Sequence, residues 1–168
     1  MIFITVGGQL PFDRLIVEVE KWYEKLSLEE DVIVQGGRTL LKKSKFCIKD
    51  RLSVADFEYY IRESSFVISH AGMGSIITCL KYNKRGVFFP RLKKKGEHRN
   101  DHQLSTVEKF DGKFENLYFA YSCEDLFSKL SIVFAQTPPE GDVAAPIKDI
   151  PSHDLCDFIA GKISSWTI

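Results

Sequence analysis

The chain has 168 residues and a mass of 19.2 kDa, enough for one domain with its own core. Hydrophobic residues make up 44% and charged residues 27%, which excludes a disordered chain. Lys+Arg and Asp+Glu both number 23, so the basic excess of a dedicated nucleic-acid binder is missing and no nucleic-acid partner is expected.

Short apolar runs alternate with helical periodicity along the chain. The first run covers residues 2–6 and ends in Gly7-Gly8. A helix is predicted next, because Phe12, Leu15, Ile16, Val19, Trp22 and Leu26 recur at helical spacing. Strands are predicted at 32–34, stopped by Gly36-Gly37, and at 46–48. Residues 54–61 read as a helix with Ser53 as its N-cap. A strand at 66–68 turns through His70-Ala71-Gly72-Met73-Gly74-Ser75 into a helix reaching Tyr82. A strand at 86–89 is closed by Pro90, and the polar stretch 91–100 leads into a helix at 101–110. A strand at 117–120 and a helix at 125–134 complete the pattern. Residues 1–136 are thus read as one domain, and 137–168 as a proline-containing connector with a short tail helix at 153–163.

The runs at 2–6, 66–68 and 87–89 are apolar apart from Thr5, as strands buried on both faces are. Alternating strands and helices then give an α/β fold, a single Rossmann-like, doubly wound parallel sheet. No apolar run is long enough to span a bilayer, and MIFITVGG lacks the basic start and long apolar core of a signal peptide. A cytoplasmic protein is expected. Cys47, Cys79, Cys123 and Cys156 show no metal-ligand spacing and are read as reduced, buried apolar residues. The four histidines are also dispersed, so no metal site is expected.

Two glycine turns follow predicted strands: Gly7-Gly8-Gln9 and Gly72-Met73-Gly74-Ser75. Each is expected to open a helix, where free N–H groups and the helix dipole favour an anion and glycine admits phosphate oxygens close to the backbone. The alternative for each is a tight turn made for packing. Neither fits the dinucleotide or P-loop pattern. The polar stretch after the strand at 86–89 holds His98, Asn100, His102 and Gln103, short-reach groups suited to sugar hydroxyls. Its lysines suit a diphosphate or an anionic membrane surface, and a merely solvated loop is the alternative.

The block from Ile68 to Ser75, then Pro90-Arg91, then Asn100-Asp101-His102-Gln103-Leu104, resembles the glycosyltransferase family 28 C-terminal domain. That domain binds the donor in transferases that include the peptidoglycan UDP-N-acetylglucosamine transferase. The opening Ile4-Thr5-Val6-Gly7-Gly8-Gln9, with Phe12-Asp13-Arg14-Leu15-Ile16, looks like the start of the same domain as a free chain. The free form is similar to the small catalytic subunit of the two-subunit transferase that adds the second N-acetylglucosamine to dolichol. It is closer still to bacterial counterparts in exopolysaccharide and capsule synthesis.

The resemblance implies the C-terminal half of a GT-B glycosyltransferase. Its donor is a UDP-sugar, no cofactor is needed, and transfer inverts the anomeric centre. The acceptor is lipid-linked and held by a separate membrane-anchored subunit, which recruits this chain to the inner face of the plasma membrane. Without that subunit the uncovered surface is open to self-association. His70, Gly72, Met73, Gly74 and Ser75 are implied as diphosphate-binding, with His70 also catalytic. Thr78 stands where the family often has a ribose-binding Glu. Glu97 and His98 fall near sugar-reading positions. Asp13 is a candidate base, with a first-turn carboxylate on the helix dipole as its alternative. A non-catalytic UDP-sugar-binding or partner-binding subunit, or an unrelated nucleotide enzyme on the same fold, are the competing readings.

Overall fold

Runs without a polar residue have nowhere to face water, so they become the interior strands of a sheet covered on both sides. The computed structural model describes residues 1–41 and 43–136. Its strands are β1 (Ile2–Thr5), β2 (Val32–Gln35), β3 (Cys47–Lys49), β4 (Val67–His70), β5 (Gly86–Phe89) and β6 (Leu117–Phe119). They form one parallel sheet in the order β3-β2-β1-β4-β5-β6. Every residue of β1 and β5 is buried, whereas the more peripheral β2 alternates buried and half-buried positions.

Five helices cover the sheet: α1 (Asp13–Lys25), α2 (Val54–Glu63), α3 (Met73–Lys81), α4 (His102–Phe110) and α5 (Cys123–Ala135). Leu15, Ile16, Val19 and Trp22 of α1 pack with Leu126, Leu130 and Val133 of α5 against Ile2 and Ile4 of β1. Burying the four α1 side chains contributes about 6–12 kcal/mol before ordering entropy is subtracted. The Trp22 Nε1–H donates to Ser131 Oγ at 3.1 Å, joining the two helices. On the opposite face Ile61, Ile76, Cys79, Leu80, Val107 and Phe110 of α2, α3 and α4 enclose Phe3 of β1. The period-two alternation of β1 therefore serves both layers.

Several expected boundaries move. The helix after Gly7-Gly8 starts only at Asp13, so a loop separates the first glycine turn from α1. His70 is the last residue of β4 rather than part of the turn, because its carbonyl edge stays in register with Phe89. Ser53 caps α2 as expected, accepting from Asp56 N at 3.0 Å. Ser122 does the same for α5, accepting from Asp125 N at 3.1 Å, which starts that helix two residues early. Of the cysteines, Cys79 is buried and its thiol is pushed up to about 12 by desolvation. Cys47 is exposed, against expectation, since it lies on the edge strand β3. Cys156, the connector and the tail helix lie outside the described residues. No helix among the described residues is long and apolar enough to cross a membrane.

Candidate functional site

In this strand order the chain leaves β1 towards one face of the sheet and β4 towards the other, so a crevice opens between their carboxyl ends. Gly7 follows β1 there, His70 ends β4, and Gly72 lies two residues beyond it. The three residues interlock. An ideal Cβ on Gly72 would lie 2.3 Å from His70 Nε2, and one on Gly7 would lie 3.0 Å from His70 Cε1. The imidazole occupies space that only two missing side chains leave. Gly7 also has φ +74°, which glycine adopts without strain. From the neighbouring strand end, a Cβ on Gly37 would meet Gly7 O at 2.2 Å, so the β2 turn packs directly on this loop.

The ring of His70 is oriented by its neighbours. Ser69 Oγ donates its proton to His70 O at 2.9 Å. Its contact with His70 Nδ1 at 3.3 Å, and that of Nδ1 with Thr5 O at 3.5 Å, therefore take the proton from the ring. Nδ1 carries the hydrogen and Nε2 the lone pair. Desolvation, reinforced by the Arg91 charge and opposed by the Thr5 carbonyl, lowers the pKa to about 4, so the ring is neutral at pH 7.

Helix α3 begins beside this ring. Gly72 is its N-cap and no side chain caps it, so its first N–H groups are left to an external acceptor. Gly74 is exposed, and a Cβ added there, or at Gly8, meets nothing within 4 Å. Neither has positive φ. Packing among the described residues thus gives no reason for glycine at either position. Ser75 is buried in the first turn and Met73 is exposed beside it.

Two arginines hold the rim. Arg91, 4% exposed, sends Nη2 to Val6 O and Leu10 O, both at 2.6 Å, pinning the loop that contains Gly7, Gly8 and Gln9. Arg14 binds Glu97 through both nitrogens, at 2.6 and 2.8 Å, and reaches Pro90 O at 2.9 Å, with its guanidinium 4.1 Å from the Phe89 ring centroid. Glu97 also accepts from Leu92 N at 2.9 Å. Gln9, Leu10, Gly96, His98 and Arg99 line an open cleft of about 520 Å³ between the two loops.

The candidate residues thus separate into two groups. Gly7, Gly8, Gln9, His70, Gly72, Met73, Gly74, Ser75 and His98 gather around the crevice and its cleft. Others are committed elsewhere. Both oxygens of Glu97 serve Arg14, a link across 83 residues. Gln103 is buried and accepts from Arg91 N at 3.0 Å. Asp13 accepts from Thr39 Oγ1 at 2.5 Å and from Leu40 N at 3.1 Å, anchoring the β2–β3 loop. Thr78 donates to Gly74 O at 2.8 Å, so its hydroxyl proton is spent within α3. Asn100 Oδ1 sits between His98 Nδ1, at 2.9 Å, and His102 Nδ1, with the two rings 4.5 Å apart. Partial burial, with His98 and Arg99 nearby, holds His102 below the usual histidine range. Only the second glycine turn opens directly on a helix; the N–H of Gly7 is taken by Thr5 Oγ1 at 3.3 Å. The roles of Arg14 and Arg91 are missed by sequence reading. The available signal was a charged residue just past the proline that closes a wholly apolar strand, which Arg91 is.

The crevice, a glycine-opened helix beside a switch point, lies within a domain that sequence comparison places in a family. The glycosyltransferase family 28 C-terminal domain matches residues 1–136. The chain belongs to this family. Among solved structures, the solution NMR structure of ALG13 shares the fold at 18% identity, with a TM-score of 0.57 over 98% of this chain and 95% of that one. No curated protein sequence matches.

Proposed function

We propose that the chain is the donor-binding, catalytic subunit of a heteromeric inverting glycosyltransferase. It moves a sugar from a UDP-sugar to a lipid-linked acceptor in exopolysaccharide or capsule synthesis. The acceptor is held by a membrane-anchored partner subunit that brings this chain to the bilayer. One observation carries the reading: His70 sits in a slot made by Gly7 and Gly72, directly beneath the uncapped start of α3.

The slot suits a leaving diphosphate. The acceptor oxygen forms a bond to the anomeric carbon as the bond from that carbon to the β-phosphate oxygen breaks, its electron pair leaving with UDP. The acceptor proton passes to a base. Negative charge grows on the β-phosphate where the N–H groups of Met73, Gly74 and Ser75 converge. The diphosphate raises the His70 pKa, so the ring takes a proton on Nε2 and donates it as a hydrogen bond. The Asp13 carboxylate is held by Thr39 and Leu40, which supports a base on the acceptor side of the cleft, supplied by the partner.

Thermal shift with UDP and a panel of UDP-sugars tests donor binding by mass action. Radiolabelled transfer to lipid acceptors, with and without a co-expressed partner, tests catalysis. No shift with any uridine nucleotide at millimolar concentration overturns the reading. Binding without transfer in any combination moves the chain to a non-catalytic donor-binding subunit, a reading favoured by the internal hydrogen bond of Thr78.

A further inference from the structure

Because all strands are parallel, the loops that follow them share one edge of the sheet. Lys93, Lys94 and Lys95 form a 3-10 turn on that edge after β5, and Arg99 follows; all four are exposed. The chain as a whole is neutral, and several of its lysines are paired: Lys21 with Glu18, Lys45 with Glu24, Lys81 with Glu58 and Lys129 with Asp125. Among the described residues, the four cations of this loop make no ion pair. The acid within the loop is already engaged. Glu97 is neutralised by Arg14, and Asp101 accepts from the backbone N of Lys93 at 2.8 Å. Exposed leucines stand on the same edge: Leu40, 76% exposed, and Leu10, 37% exposed. Leu40 N bonds Asp13 and the adjacent Arg14 bonds Glu97, so the two loops are moored to neighbouring residues.

We propose that this edge rests on an anionic lipid bilayer, with Lys93, Lys94 and Lys95 over the headgroups and Leu40 entering the interface. Lysine distinguishes a lipid surface from a protein here. It is depleted from protein interfaces, where rigid Arg and aromatic groups dominate, while hydrated, flexible ammonium groups suit a fluid sheet of charge. A bilayer contact on this edge turns the crevice towards the membrane. The placement rests on the proposed lipid-linked acceptor, but the contact is made by this chain without its partner.

The test is co-sedimentation of the purified chain with vesicles of phosphatidylcholine alone or mixed equally with phosphatidylglycerol, at low and high salt. UDP thermal shift is measured on the same samples. Binding to the anionic vesicles only, weakened by salt, is expected. The triple variant Lys93→Gln, Lys94→Gln, Lys95→Gln should lose roughly a hundredfold in partition, at about fivefold per lysine, with the UDP shift kept. Leu40→Ser should weaken binding without altering its salt dependence. No anionic binding by a chain that still binds UDP overturns this proposal alone. Vesicle binding without a UDP shift overturns the donor reading alone. Loss of partner capture by the triple variant, with no vesicle binding by the parent, assigns the lysines to a protein contact and overturns the bilayer.

Discussion

The Nε2 of His70 lies 2.3 Å from where a Cβ on Gly72 would stand, closer than any two unbonded atoms of this kind approach. The histidine and the glycine two residues on are therefore a single steric unit: the ring holds its pose only because the side chain is missing. Gly74, two residues further on, has open space at the same atom. Two glycines in one turn thus have different physical reasons, and substitution separates them.

Gly72→Ala should push the ring out of its slot and destabilise the fold by about 1–3 kcal/mol, the range for an overpacked site. Gly74→Ala should stabilise the unliganded chain by about 0.5–1 kcal/mol, since alanine is the better helix former and meets no neighbour. Gly74→Val should keep the fold and abolish the UDP-induced shift, its branched side chain crowding the phosphate path. Chemical denaturation with and without UDP checks all three. A full UDP shift in Gly74→Val removes phosphate binding from this turn.

Acid should weaken the fold through His70. Its folded pKa, about 4, lies below the unfolded value of 6.5, so the unfolded chain binds the proton first. The stabilisation is complete above pH 6.5 and is lost as pH falls from there to about 4. The loss is about 3 kcal/mol across that window. His70→Gln should flatten that segment of the stability–pH curve. Saturating UDP should be taken up together with a proton, seen as buffer-dependent heat in calorimetry.

Turnover should follow the same residue. His70→Ala is expected to lower kcat by roughly 10- to 1000-fold, the loss for one positioned donor, while UDP affinity falls less because backbone N–H groups share the ground-state contact. Normal turnover in this variant assigns His70 to structure.

Glu97→Gln distinguishes a rim clasp from a sugar reader. Removing one charge from a bidentate pair whose side chains are 15% and 12% exposed should cost about 2–3 kcal/mol of stability. Discrimination among UDP-sugars should stay unchanged. Altered sugar preference at unchanged melting temperature contradicts the clasp.

Catalysis should need a second protein. The chain alone is expected to bind donor yet transfer nothing measurable to a lipid-linked acceptor, because positioning the hydroxyl against the anomeric carbon supplies much of the rate. Full activity of the isolated chain on that acceptor contradicts the proposal directly.

What the sequence by itself determined is whatever local periodicity and composition encode. The runs at β1, apolar but for Thr5, and at β5, apolar throughout, announced a parallel sheet covered on both faces, and the spacing of Leu15, Ile16, Val19 and Trp22 announced α1. The block from His70 to Ser75 marked the carboxyl end of β4 as the place for chemistry. What only tertiary structure decided is which polar groups are spent inside the chain. Glu97 looks like a sugar reader until Arg14, 83 residues away, takes both its oxygens. Asp13 looks like a base until the loop after β2 claims it, and Gln103 looks like a ligand contact until it folds under Arg91 N. The same holds for the His70 ring, whose place depends on a missing Cβ at Gly7, in the loop after another strand. Hydrogen-bonding capacity is a property of a residue, but whether it is free is a property of its neighbours, and those neighbours come from distant segments that no local pattern records.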